Sequence, residues 1–155
     1  MIDAGWFAPE KGEWGRGARR LIPSRKLFPN GIAATAAAIR ERGLIPGLWF
    51  EMEVAGRNSE AFKSMTDHQL KRDGLPITAN NRRFWDMRDP AAIDYLDRKV
   101  VGLLREANFG YVKVDYNETI GIGADGTESL GEPCASTWWE CRDSFSICAK
   151  HCPTS

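Results

Sequence analysis

The chain has 155 residues, 43% of them hydrophobic, and its 21 basic residues balance its 21 acidic ones. Such a length suits one compact domain with a core, and a balanced charge offers no field that would draw nucleic acid or an anionic membrane. No apolar run is long enough to cross a bilayer, and no basic stretch followed by an apolar one opens the chain, so a cytoplasmic protein with neither nucleic-acid nor membrane partner is expected.

Met1 to Trp6 reads as a strand that starts without a run-up, ending in Asp3 and a glycine turn at Gly5. A Gly, Pro and Arg rich connection follows from Phe7 to Pro29; its basic loop from Arg16 to Lys26 reads as a solvated loop without an assigned partner. Asn30 offers an N-cap for a helix over Gly31 to Arg42, with Ile32, Ala36 and Ile39 on one face and Gly43 as its stop. Leu44 to Phe50 is an apolar strand running into Glu51, Met52 and Glu53. A second long connection, Val54 to Arg82, carries a short helix over Glu60 to Lys71, and Arg83 to Met87 is a third strand. Asp89 followed by Pro90 is a cap with proline at the first helical position, and Ile93, Leu96, Val100, Leu103 and Leu104 form the apolar face of a helix that ends at Gly110.

The fourth strand, Tyr111 to Asn117, sets Lys113, Asp115 and Asn117 at every second position. Strand side chains alternate between faces, so these three share one side. The ammonium beside Asp115 favours its ionised form, and an ionised Asp in a cleft can serve as nucleophile or base. A surface strand with an exposed ion pair would have the same spacing. What separates the two is the rest of the chain, because Asp3, Glu51 and Glu53, and Asp86 also stand at the ends of strands. Strands alternating with helices predict a parallel α/β sheet, whose chemistry gathers at the carboxyl ends of its strands. Gly5 is followed by Trp6 and Phe7 instead of a glycine-rich phosphate loop, which argues against nucleotide binding.

Four stretches, Ile2 to Phe7, Gly47 to Glu53, Phe84 to Pro90 and Tyr111 to Asn117, together resemble the α-galactosidase and raffinose-synthase type glycoside hydrolases of the melibiase superfamily. The resemblance covers residues 1 to 132 and implies part of a (β/α)8 TIM barrel, about the first four strands and three helices. It implies an α-galactoside oligosaccharide as substrate, no cofactor or metal, and full-length relatives that are homo-oligomeric. By position, Asp115 matches the catalytic nucleophile of a retaining double displacement, and Lys113 and Asn117 match sugar-hydroxyl contacts beside it. Trp49 matches an aromatic lining the galactose subsite, Asp3 the first acid of a hydroxyl-gripping pair, and Arg82 or Arg83 an arginine that touches substrate. Ala4 stands where the family often has the second acid, which admits an α-N-acetylgalactosaminidase; a galactosyltransferase would use the same Asp115, and a non-catalytic carbohydrate-binding remnant would keep only the contacts. The general acid matches no position here. A full barrel takes about 250 residues, so a chain of this length alone is expected to leave open strand edges and to be inactive.

All four cysteines, Cys134, Cys141, Cys148 and Cys152, fall in the tail 133–155, which has no apolar period and no familiar zinc spacing. Read one frame on, Trp138, Trp139 and Glu140 force a Val then a Gly, and the remaining codons permit an amphipathic helix. The tail is therefore expected to be a frameshift product without a function of its own.

Overall fold

The computed structural model describes residues 1–7, 21–129, 131 and 132. The tail 133–155, with its four cysteines, lies outside the described residues, as do residues 16–20 of the basic loop.

The polypeptide is mixed α/β. Helix α1 (Ile32–Arg40) leads into strand β1 (Gly47–Phe50), and strand β7 (Tyr111–Val114) pairs with β1 in parallel. Their register sets Gly47 against Tyr111, Leu48 against Val112, Trp49 against Lys113 and Phe50 against Val114. On the other side of β1, Ile2 makes a single parallel bridge with Leu48, its N–H donating to the Gly47 carbonyl and its carbonyl accepting from Trp49 N–H. Every residue of β1 is buried, as a strand covered on both faces requires. The core gathers Leu48 and Phe50 with Trp6, Ile32, Ala36, Leu96, Val100 and Leu104.

Between β1 and β7 the chain makes an excursion that its sequence pattern hides. Strand β2 (Val54–Gly56), helix α2 (Glu60–Ser64) and a 3-10 turn at Thr66–His68 precede two hairpins, β3 (Lys71–Arg72) with β4 (Leu75–Pro76), and β5 (Thr78–Ala79) with β6 (Arg82–Phe84). Each hairpin turns on two residues of positive φ: Asp73 (53°) and Gly74 (76°) in the first, Asn80 (45°) and Asn81 (63°) in the second. Two successive positive-φ residues make the type I′ turn that matches strand twist. The expected third parallel strand is thereby corrected: β6 runs antiparallel to both β2 and β5, so among the described residues three parallel segments are present where four were expected. The predicted helix over Glu60–Lys71 is also corrected. It stops at Ser64, because Leu70 N–H bonds the Phe84 carbonyl and Gln69 bridges Trp85. Only Ile2 of the expected first strand is in a ladder, and Ala4 to Phe7 form a turn.

The two long helices are nearer expectation. α1 starts one residue late, with Gly31 at its N-cap (φ 83°) and no side-chain cap from Asn30, and it closes at Gly43: Gly43 N–H bonds the Arg40 carbonyl and Leu44 N–H that of Ile39. Helix α3 (Pro90–Leu96), a π turn at Asp97–Val101 and α4 (Gly102–Glu106) form one continuous run. It ends at Asn108 (φ 54°), two residues before the predicted Gly110, with Phe109 N–H on the Leu104 carbonyl. Arg40 Nε donates to the Asn108 carbonyl at 3.1 Å and so joins the two helix ends.

Asp89 caps this helix as its sequence predicts, accepting from Ala91 N–H at 2.9 Å while its other oxygen meets His68 Nδ1 at 2.7 Å. The bond to His68, followed by that from Ala91, holds the Asp89 carboxyl below its ordinary value. A carboxyl lowered by folding contributes stability that is full above its unfolded pKa of about 4 and is lost as the pH falls through the lower folded value. Urea unfolding of Asp89→Ala should therefore show a loss of about 1 kcal/mol at pH 7 and a flatter acid limb than the parent chain. An unchanged acid limb would contradict the assignment.

Candidate active site

The parallel pair does more than build a core, because it sets one row of side chains side by side. Trp49 lies opposite Lys113, and the pairing extends one step further as Asp115 N–H donates to the Phe50 carbonyl at 2.9 Å. By alternation, Lys113 and Asp115 stand on the Trp49 face. There Trp49 Nε1 donates to Asp115 Oδ2 at 3.1 Å, and Lys113 Nζ lies 3.8 Å from the same oxygen. The indole is 3% exposed and held from behind, where Trp6 Nε1 donates to the Trp49 carbonyl at 2.7 Å. A buried ring with a braced backbone gives Asp115 a fixed donor, while Lys113 and Asp115 stay open to solvent, their side chains 40% and 39% exposed.

These groups line a cleft of about 640 Å³ with Asp3, Ala4, Phe7, Arg82, Asn117 and Glu118. Asp3, Trp49, Arg82, Lys113, Asp115 and Asn117, the six residues singled out in the sequence, are thus brought to one cavity at the carboxyl ends of the parallel segments. Asp3 bonds the N–H of Ala4 at 2.8 Å through one oxygen. Arg82 and Arg83 face opposite ways, as neighbours on a strand must. Arg82 lines the cleft, whereas Arg83 donates to the Phe62 carbonyl at 2.9 Å and lies over the Phe62 ring, 4.0 Å from its centroid.

Two acids take unforeseen places. Asp86, one of the strand-end carboxylates, accepts from Arg88 through both oxygens at 2.8 Å, and the hydrogen bond that Arg88 donates to Asp86 raises the Arg88 pKa above its ordinary value. Arg88 then donates to the Gly126 and Asp125 carbonyls, so this pair ties the segment after β7 to the turn between β6 and α3 and does not line the cleft. Glu118, passed over in the sequence, lines the cleft, pairs with Arg82 and accepts from Asn80 Nδ2 at 3.0 Å through each oxygen. Its only sequence signal is adjacency to Asn117, which does not distinguish it from a solvated glutamate. Glu51 follows β1 on the Trp49 face, and its fully buried side chain lies 3.7 Å from Arg82.

Fold and cleft together define an α/β scaffold with its polar site at the carboxyl ends of parallel strands, where α/β enzymes carry their chemistry. Solved structures of similar architecture include α-galactosidases of glycoside hydrolase family GH36. A variant of Geobacillus stearothermophilus AgaA in complex with stachyose superposes with a TM-score of 0.75 at 26% identity, covering 96% of this chain and 21% of that one. AgaB from the same organism superposes with a TM-score of 0.73 at 26% identity, covering 94% and 20%. In sequence, Alpha-galactosidase 2 of Pediococcus pentosaceus is 30% identical over 118 residues and AgaA 31% identical over 118, each match covering 76% of this chain and 16% of the relative. The model of the Melibiase family matches residues 1–132, and the chain belongs to that family. It spans about a sixth of the length of these curated relatives.

Removing the guanidinium that stands against a buried carboxylate is costly, because the remaining charge stays desolvated. Arg82→Met, which leaves Glu51 and Glu118 without that cation, should lower the unfolding free energy by about 3 kcal/mol in urea. A loss below about 1 kcal/mol would show that Arg82 does not hold these acids in place.

Proposed function

We propose that residues 1–132 carry the nucleophile side of the active site of a retaining α-galactosidase, with Asp115 as the nucleophile. The observation that carries this is the convergence of Asp115, Lys113 and Trp49 at one point of the cleft, in a chain whose relatives are α-galactosidases. In the double displacement, an Asp115 oxygen bonds the anomeric carbon as the bond to the leaving oxygen breaks, and water later releases the sugar. Trp49 Nε1 and Lys113 Nζ both stand at Asp115 Oδ2, which leaves Oδ1 for the attack. Asp3, Asn117 and Arg82 are assigned to the sugar hydroxyls. The proton donor to the leaving group is assigned to a residue outside this chain, so the chain alone binds the sugar without turning it over.

We read Ile2, β1 and β7 as adjacent strands of a partial (β/α)8 barrel, with α1 and the α3 to α4 helix as its crossovers and the antiparallel hairpins as an excursion at the carboxyl end. Support comes from the parallel order and from the fit to α-galactosidases over nearly the whole chain. Ala4 in the cleft favours one second reading, an α-N-acetylgalactosaminide as substrate, since a methyl side chain leaves space that a second acid would fill.

The test uses a chimera in which residues 1–132 replace the matched segment of Geobacillus stearothermophilus AgaA. It should hydrolyse an aryl α-galactoside faster than the aryl α-N-acetylgalactosaminide; the reverse order would select the second reading. Asp115→Asn should lower turnover at least about 10³-fold with little change in substrate binding. Azide added to Asp115→Gly fills the hole on the face where the carboxylate stood, so an α-galactoside should yield the β-galactosyl azide. An α-azide would show that the covalent intermediate still forms and that Asp115 is not the nucleophile.

A further inference from the structure

Arg82 enters the cleft with its charge already engaged. Glu118 pairs with its Nη1, the buried Glu51 lies 3.7 Å from the same nitrogen, and the Arg82 and Glu118 side chains are only 14% and 12% exposed. Glu118 is itself aimed: Asn80, at the turn of the β5 to β6 hairpin, donates to both of its oxygens at 3.0 Å. It stands three residues after Asp115, so the same carboxylate links the strand of the nucleophile to the hairpin that carries Arg82. The cleft consequently presents three carboxylates, Asp3, Asp115 and Glu118, against two cations, Arg82 and Lys113.

We propose that Glu118 is a specificity-determining residue: by occupying the Arg82 guanidinium it closes the cleft to sugars that carry a carboxylate and reserves it for neutral galactosides. A guanidinium is a planar fork that recognises carboxylate through two parallel bonds, and an unmasked Arg82 beside the sugar site would recruit a uronate. With Glu118 on Nη1, the end-on pair of Arg82 donors is no longer free to a second carboxylate, and an entering carboxylate also meets an excess of like charge. The inference rests on the cleft being the galactoside site proposed above and adds the charge selectivity of that site.

The 155-residue chain is titrated with methyl α-D-galactopyranoside and with methyl α-D-galactopyranosiduronate by ligand-observed NMR, for the parent and for Glu118→Gln and Glu118→Ala. The parent should bind the neutral sugar and discriminate against the uronate. Either variant should raise the affinity for the uronate relative to the galactoside about tenfold, because it gains a charge-assisted contact. Glu118→Gln is nearly isosteric and can still accept from Asn80, so it keeps the test available if Glu118→Ala unfolds by circular dichroism. Glu41→Gln, the same charge change on an exposed residue beyond α1, should leave the ratio unchanged. A ratio unaltered in the Glu118 variants, or altered equally by Glu41→Gln, would overturn the masking role while leaving the galactoside site standing. A parent chain that is folded and binds neither sugar would overturn the site itself, and the inference with it.

Discussion

Two adjacent parallel strands hold the cleft in shape, and their register is the constraint on which the other features depend. With Trp49 opposite Lys113 and Asp115 N–H on the Phe50 carbonyl, the indole N–H of one strand comes within 3.1 Å of the carboxylate of the other. A slip of one residue would turn Asp115 to the opposite face and bring Val114 to the cleft. The register is protected from below by the close packing of the Tyr111 side chain on Gly47. A Cβ at Gly47 would stand 2.5 Å from the Tyr111 ring and 3.2 Å from its Cβ, so a larger residue at that position would press the strands apart. From above, the Trp6 indole fixes the Trp49 carbonyl, and Trp6 itself packs edge-on to Phe50 with ring centroids 5.4 Å apart.

What could be read in the sequence is what obeys a local period. Lys113, Asp115 and Asn117 share a face because strand side chains alternate, and Asp89 with Pro90 starts a helix because one supplies the cap and the other needs no N–H partner. The excursion from Val54 to Phe84 was not legible as sheet, since its strands are two or three residues long and too short for a period to emerge. Its turns did carry a signal. Asp73 with Gly74 is a strong hairpin pair, and Asn80 with Asn81 a weaker one, since asparagine tolerates positive φ at lower cost than most residues. The helix expected across Glu60–Lys71 gave way for a tertiary reason, because the Gln69 to Leu70 backbone found partners on the strand bearing Phe84 and Trp85.

Acidic residues show most clearly where residue type stops being informative. Asp3, Asp86 and Asp115 read alike as carboxylates at strand ends, yet Asp86 is spent on Arg88 and serves to anchor the chain after β7. Glu118 reads as an ordinary glutamate, yet it lines the cleft and engages Arg82. The difference lies in partners brought from 36 residues away for Glu118 and only two for Asp86, and distant pairing leaves no mark on a single sequence. Membership of the Melibiase family constrains the site as a whole, whereas the hydrogen bonds of this chain distinguish the acids open to a sugar from those engaged by arginine.

The identity of the nucleophile is tested most directly by trapping the covalent intermediate. The chimera carrying residues 1–132 would be treated with an activated fluorinated α-galactoside, which forms a glycosyl-enzyme faster than it releases the sugar, and the labelled protein digested for peptide mass spectrometry. The ester should map to Asp115. A label on Asp3, on Glu118 or on a residue outside this segment would contradict the central assignment.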